Sequence, residues 1–268
     1  MVTGESNALW NRDSYHCAFP GMVKDWQVAW TNRSGSSETL RMPFGFVQLA
    51  AGARENATVD RFAQTAKYGY APNPLMPTAF MAAAYDTYDP LDPVTRRGGI
   101  HPRNKRVVAR RLALAGLNVA YGRREFPKYG PYPVKFDLFL HGDQRTPSLI
   151  VEYDQEVIWD AGGGSASGFY ACCGRIPDCD ADMDMRLWRR IGAANVAAED
   201  SFKVVIGLVG LCPRLTDLGG VAYMWEDVGV PEGEEAFVRA EDEFQLPGNP
   251  WEHEIDWSLP PKSDVEAL

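Results

Sequence analysis

The sequence lacks the long apolar runs and the cationic surplus that would place it in several large classes of protein. No uninterrupted apolar stretch approaches the roughly 18–20 residues that a membrane-spanning helix needs, and residues 1–7 contain neither the basic nor the apolar segment of a signal peptide. The net charge is −9, whereas sequence-independent binding to nucleic acid or an anionic membrane needs an excess of lysine and arginine. We therefore expect no membrane span, no nucleic-acid partner and, in the chain as written, no export signal.

The five cysteines show none of the spacings typical of a zinc site, so we expect no metal. Cys172, Cys173 and Cys179 lie in a segment with glycine, aspartate and proline, which favours a loop tied by a disulfide. A few buried thiols in a cytosolic protein would fit this spacing nearly as well, and the odd total leaves one thiol over or paired outside the chain. The sequons at Asn32 and Asn56 indicate glycosylation in a secretory compartment, although such triplets also arise by chance.

What is present is the composition of a globular protein: 45% hydrophobic and 12% aromatic residues in 268. At about 150 residues per domain, this length predicts two domains. The apolar runs 41–50 and 78–85 are short enough for buried strands, and a helix-compatible pattern lies between them at 60–68. A second helical pattern follows Pro102 and continues to Val119. The first part of the chain is therefore predicted to form an α/β layer.

From Phe126 onward the pattern changes to short apolar runs separated by glycine, proline and aspartate. The runs are 134–140, 149–153, 202–211 and 221–225. Strands without intervening helices are typical of a β-sandwich or barrel. The glycine-rich segment 161–168 lacks the Lys-Ser/Thr pair of a P-loop, so no cofactor is predicted there. We divide the chain into 1–125, a partial α/β domain, 126–230, a β-sandwich-like domain, and 231–268, an acidic solvated tail.

His101 is the best-placed residue for acid-base chemistry. Histidine exchanges a proton near neutral pH, and His101 stands where a loop is predicted to enter the long helix, a position where open α/β sheets place their sites. A structural histidine that caps the helix is the alternative.

The segment Gly4-Glu5-Ser6-Asn7 is a second candidate. Asn7 and the backbone amides around Gly4 could donate hydrogen bonds to an oxyanion, although Asn7 could equally cap a helix or turn. Ser6 is a poor nucleophile candidate, because a nucleophile elbow needs Gly-x-Ser-x-Gly after a strand, whereas position 8 is alanine.

A basic run surrounds His101, with no acidic residue from Pro93 to Arg111. Arg97 and Arg103 lie closest to His101, and an arginine there could hold a substrate carboxylate bidentately. For most of the run, an exposed basic helix face is the simpler interpretation.

Several segments, taken in order, resemble the sialate O-acetylesterase family, in roughly its carboxy-terminal half. They are Gly4–Asn7, Tyr15–Pro20 with Asp25-Trp26, Pro43–Leu49, Gln64–Ala66, Met76–Ala82, Gly99–Arg103 and Trp225–Asp227. The resemblance implies a partial SGNH-hydrolase-like (flavodoxin-like) parallel sheet followed by a mostly antiparallel β-domain. It also implies hydrolysis of acetyl esters on O-acetylated sialic acid by a serine nucleophile, with His101 as general base and no cofactor. Family members are lysosomal or secreted glycoproteins with similarly placed cysteines.

The sequence departs from this family at the catalytic serine. The family carries its nucleophile in a Gly-Gln-Ser-Asn motif upstream of the Gly-Glu-Ser-Asn segment, and this sequence lacks that motif. We therefore expect an incomplete enzyme whose partner is the missing amino-terminal half. Asp86, Asp89 or Asp92 could orient His101. The alternative is a non-catalytic carbohydrate-binding protein derived from the same fold.

Overall fold

A computed structural model describes residues 14–36, 41–50, 58–87, 89, 103–141, 146–159, 168–181, 186–192, 194–197, 199–224, 238–258 and 262–263. The chain divides into two compact units, Met1–Gly130 with Asp227–Glu235, and Pro131–Glu226 with Ala236–Leu268. Within the described residues, no helix is both long and apolar enough to cross a membrane.

The first unit is an α/β layer. Its elements are α1 (Tyr15–Ser34), β1 (Phe44–Val47), α2 (Thr58–Ala63), β2 (Ala79–Ala82) and α3 (Arg106–Val119). β1 and β2 run parallel, with Phe44 opposite Ala79 and Val47 opposite Ala82. Parallel strands are usually covered on both faces, which explains why their sequences are continuously apolar.

Helix α1 covers one face of this sheet. The ring of Phe19 meets Phe44 and Phe46 edge-on, with centroids 6.1 and 5.1 Å apart. Pro20 and Gly21 lie in the middle of the helix and oppose helix formation by about 3 and 1 kcal/mol. The burial of its apolar face on the strands therefore outweighs poor local propensity.

Helix α3 covers the opposite face, where Val108 and Leu112 pack in one apolar cluster with Ala82. The backbone comes unusually close to the ring of Phe80 from two sides. A Cβ added to Gly45 of β1 would lie 2.7 Å from that ring, and one added to Gly116 of α3 would lie 3.2 Å from it. Glycine at these positions leaves the space that Phe80 fills.

We expect Gly45→Ala to lower the free energy of unfolding by about 1–3 kcal/mol, because the new methyl group overpacks the Phe80 ring. Gly192→Ala is the matched control, since nothing lies within 4 Å of its added Cβ. Urea unfolding of both variants checks the prediction, and an equal effect at the two positions would contradict it.

Two predicted helices begin or end elsewhere than expected. The pattern over 60–68 predicts one helix, but α2 ends at Ala63 because Ala66 and Lys67 adopt positive φ angles of 55° and 68°. The helix predicted to begin at Pro102 begins at Arg106. Asn104 Oδ1 instead accepts the Arg106 backbone N–H at 3.1 Å, a turn that precedes the helix.

The second unit is built from two larger sheets and a two-stranded one. Its strands are β3 (Pro133–His141), β4 (Thr146–Tyr153), β5 (Val157–Trp159), β6 (Phe169–Cys172), β7 (Trp188–Arg190), β8 (Ala194–Ala197), β9 (Asp200–Gly207), β10 (Gly220–Tyr223), β11 (Val238–Ala240), β12 (Trp251–Glu254) and β13 (Lys262–Ser263), and α4 (Ile176–Ala181) follows β6. The strand orders are β13-β3-β4-β9-β8, β12-β10-β6-β7 and β11-β5. All these pairings are antiparallel except β13 with β3.

Trp251 joins the cores of the two larger sheets. Its ring lies 5.1 Å from Phe136 of β3 and 6.0 Å from Phe169 of β6, and its indole N–H donates to the Tyr153 hydroxyl at 3.3 Å. Burial raises the pKa of Tyr153 well above its ordinary value, and the charge of Tyr223 adds to this rise. The arrangement is a sandwich with a shared aromatic core.

The prediction of an acidic solvated tail over 231–268 is wrong for its described part. Val238 and Trp251 are almost completely buried, and β12 pairs with β10 along four residues from Trp251 to Glu254. Apolar anchors between the acidic residues bring the segment into the sheets, and charge composition alone hides them.

Two disulfides cross-link the second unit. Cys172 pairs with Cys179, and Cys173 pairs with Cys212. The predicted disulfide-tied loop is confirmed. The remaining thiol is Cys17 on α1, which is exposed.

Candidate functional site

The carboxyl ends of β1 and β2 meet at one edge of the first unit, which we call the strand-end edge. Open α/β sheets bind ligands outside the carboxyl ends of their strands. Gln48 follows β1 directly, and Asp86 and Asp89 follow β2 after a short apolar segment. All three side chains are largely buried, so the edge carries polar groups that the fold holds in place.

Helix α2 supplies side chains that bind the backbone just after β1. Gln64 accepts the Leu49 N–H at 2.8 Å and donates to the Val47 carbonyl at 3.3 Å. Arg61 Nε donates to the Leu49 carbonyl at 2.9 Å. Because Gln64 and Arg61 are fully buried, this network fixes the path of the chain as it leaves the strand.

Gln48 lies within the same network and keeps one acceptor unused. Its Nε2 donates to the Arg61 carbonyl at 3.3 Å, whereas its Oε1 is buried and has no hydrogen-bond partner among the described residues. A buried unsatisfied acceptor is uncommon in native proteins, which makes this oxygen an unusual feature of the strand-end edge.

Asp86 forms a buried bidentate pair with Arg111 of α3. Two guanidinium nitrogens of Arg111 donate to the two carboxylate oxygens at 2.6 and 2.5 Å, and Arg111 also donates to the Ala83 carbonyl at 2.9 Å. Burial lowers the pKa of Arg111, but the charge and hydrogen bonds of Asp86 outweigh it, and the net pKa rises. Arg111 therefore stays charged and ties α3 to the end of β2.

Asp89 binds Arg103 at three points. It accepts the Arg103 backbone N–H at 3.3 Å and two guanidinium donors at 2.6 and 3.1 Å. The Asp89 side chain is 4% exposed and that of Arg103 is 59% exposed. This ion pair connects Asp89, which precedes residues 90–102, to Arg103, which follows them.

The buried threonine hydroxyl groups near this edge already donate hydrogen bonds to backbone carbonyls. Thr65 donates to the Phe62 carbonyl at 2.6 Å, and Thr87 donates to the Ala84 carbonyl at 2.8 Å. Neither is poised as a nucleophile, and the described part of the edge shows no serine or cysteine.

The residues predicted from the sequence fall into two groups. Gly4, Ser6, Asn7, Asn56, Asp92, Arg97 and His101 lie outside the described residues. The structure brings Arg103, Asp89 and Asp86 to the same edge, and it places Asn32 exposed in the last turn of α1.

Sequence reasoning missed the buried polar groups Gln48, Arg61, Gln64 and Arg111. Arg111 counted there as one member of a basic helix face, yet it is only 12% exposed. The available signal was Asp86, an acid placed directly after an apolar strand that requires a buried cation nearby.

The fold is similar to that of a solved protein. A solved carbohydrate acetylesterase from Xanthomonas citri matches 94% of this chain with a TM-score of 0.62 and 22% identity, and the match covers 49% of that protein. The predicted fold class, a small parallel α/β sheet followed by antiparallel sheets, is confirmed.

Sialate O-acetylesterases are similar in sequence. The protein from Mus musculus is 41% identical over 159 residues, which is 58% of this chain and 28% of the mouse protein. The Homo sapiens protein is 42% identical over 144 residues, or 52% of this chain and 27% of its own length. No protein-family model matches the chain. The predicted resemblance is confirmed, and the match spans little more than a quarter of these relatives.

Proposed function

We propose that this protein is an O-acetylesterase that removes acetyl groups from O-acetylated sialic acids. The observation that carries the proposal is the 41–42% identity to sialate O-acetylesterases over more than half of the chain. A shared fold with a carbohydrate acetylesterase and the built polar edge at the strand ends support it.

His101 is the proposed general base. In a serine hydrolase the imidazole takes the hydroxyl proton during attack on the acetyl carbonyl and returns it to the departing sugar oxygen. Gly4 and Asn7 are the proposed donors to the oxyanion that forms on the carbonyl oxygen. The Gly-Gln-Ser-Asn motif is not in this sequence, so we propose that the nucleophile comes from polypeptide beyond these residues, in an amino-terminal half.

Arg103 is proposed as a positioning residue rather than a direct ligand of the substrate carboxylate. It follows His101 by two residues, and Asp89 binds both its backbone and its side chain. Asp86 is proposed to act through α3, because Arg111 binds both of its carboxylate oxygens. Asp89 and Asp92 remain as candidates to orient the imidazole, and Asp89→Asn compared with Asp92→Asn distinguishes them by the loss in kcat.

The proposed location is lysosomal or extracellular, with glycosylation at Asn32 and Asn56. Two disulfides support it, because disulfides persist in oxidising compartments and are rare in the cytosol. The exposure of Asn32 is compatible with a glycan.

The test is acetate release from 9-O-acetylated sialic acid by the protein expressed from its own gene. We expect His101→Ala to lower kcat/KM by about 10³-fold or more, and Ser6→Ala to leave it unchanged. His253→Phe is the matched control, because phenylalanine retains the stack on Phe136, where the ring centroids lie 3.9 Å apart.

Hydrolysis that persists in His101→Ala would contradict the proposed role of this histidine. Tight binding of the acetylated sugar without any acetate release would instead support the non-catalytic carbohydrate-binding alternative.

A further inference from the structure

A groove of about 590 Å³ lies between α1 and residues Pro74–Thr78 of the first unit. The Gln27 side chain in its wall donates to the Met42 carbonyl and to the Thr78 hydroxyl, both at 2.8 Å. Met42 and Thr78 stand just before β1 and β2, so the groove is at the amino ends of the strands. It is therefore separate from the strand-end edge.

The wall opposite α1 is held by one buried asparagine. Asn73 donates to the Thr65 and Tyr70 carbonyls, both at 2.9 Å, and accepts the N–H groups of Leu75 and Met76 at 3.0 and 2.9 Å. A wall fixed by four hydrogen bonds does not need to be ordered when a ligand binds, which favours binding.

The α1 wall leaves unfilled space at its centre. Pro20 and Gly21 both line the groove, and a Cβ added to Gly21 would have nothing within 4 Å. The absent side chain widens the groove at a position where almost any other residue would favour the helix more.

The groove is apolar along its length and cationic at its rim. Leu75 and Val28 are 62% and 39% exposed, although large aliphatic side chains are usually buried. Lys24 lines the groove one turn from Val28, and His16 lines it as well, whereas none of the lining residues that the structure describes is an aspartate or glutamate. In a chain of net charge −9, this is a local site of opposite sign.

We propose that the groove is a binding site for a small apolar carboxylate, separate from the esterase site. The apolar body of the ligand covers Gly21 between Leu75 and Val28, and the carboxylate pairs with Lys24. The volume lies within the range of small-molecule pockets, which are mostly apolar with a few polar groups that fix orientation.

The protein carries its own reporter for this site. Cys17 lines the groove one helical turn from Gly21, and it is the single free cysteine, since the other four form disulfides. The rate at which iodoacetamide, a neutral reagent, alkylates Cys17 therefore measures whether the groove is occupied.

The experiment measures Cys17 alkylation by mass spectrometry with naphthalene-2-carboxylate as probe and its neutral isostere naphthalene-2-methanol as control. We expect the carboxylate to slow alkylation at concentrations at which the alcohol does not. Lys24→Glu should weaken this protection by about fivefold or more, whereas Lys128→Glu, an exposed lysine outside the groove, should leave it unchanged.

A second pair of variants tests the location. Gly21→Trp fills the groove and should abolish protection, whereas Gly21→Ala should preserve it, and circular dichroism confirms that both fold. Equal protection by the alcohol would overturn the assignment of a carboxylate. Protection that survives Gly21→Trp would overturn the site itself.

Discussion

Replacing Asp86 by alanine is expected to lower the free energy of unfolding by about 3–5 kcal/mol, the usual cost of removing one partner of a buried ion pair. The Asp86 and Arg111 side chains are 9% and 12% exposed, so the guanidinium would remain buried without its counter-charge. Arg111 cannot escape this cost by losing its proton, because an arginine guanidinium stays protonated in proteins near neutral pH.

Urea unfolding of Asp86→Ala is compared with Glu125→Ala. The Arg123–Glu125 pair has a similar distance, 2.5 Å, but both side chains are more than half exposed, so we expect no measurable loss there. The double variant Asp86→Leu/Arg111→Met should recover most of the stability, because apolar groups of similar size replace both charges. Equal losses for Asp86→Ala and Glu125→Ala would contradict the importance of burial.

Removing the Cys173–Cys212 disulfide is the second change expected to have a large effect. The two cysteines are 39 residues apart. Closing a loop of that length lowers the entropy of the unfolded chain, and in the chain-entropy description this raises the free energy of unfolding by about 4 kcal/mol. Cys172 and Cys179 are only 7 residues apart, for which the same description gives about 2 kcal/mol.

The corresponding double alanine variants should therefore rank in this order by thermal or urea unfolding. Cys17→Ala is the control and should unfold like the parent, since its thiol is exposed and outside both disulfides. The reverse ranking of the two disulfides would show that contacts in the folded state, rather than loop length, set their contributions.

Periodicity and apolar runs were sufficient to predict four strands of the second unit. The runs at 134–140 and 149–153 correspond to β3 and β4, and those at 202–211 and 221–225 correspond to β9 and β10. Each has enough apolar residues to be recognised without its neighbours. The three-residue strands β5, β7 and β11 have no such signal, because partner strands define them.

Helix α1, in contrast to these strands, could not be predicted from its local sequence. Pro20 and Gly21 are strong local signals against a helix, and no helix was predicted there. Tyr15, Phe19 and Val23 nevertheless recur every four residues and are buried against the strands. Tertiary packing decides the conformation of this segment, and local propensity does not reveal it.

The position of the two carboxylates beyond β2 was predictable from the sequence, but their partners were not. The order of strand and loop in the sequence predicts polar groups beyond β2, and Asp86 and Asp89 are there. The sequence could not show that Arg103 pairs with Asp89, 14 residues away, or that Arg111 pairs with Asp86, 25 residues away. Such pairings depend on how the intervening chain folds.

The Gln64 side chain binds backbone groups at the end of β1 that another strand could otherwise bind. β1 uses alternate backbone groups to bind β2, for example the Gln48 N–H to the Ala82 carbonyl, so the groups of Val47 and Leu49 point to the other side. The primary amide of Gln64 accepts from one and donates to the other, as a peptide unit of a further strand would. A single glutamine thus imitates a neighbouring strand, and it protects this end of β1 from pairing with a second chain and from the aggregation that open strand edges promote.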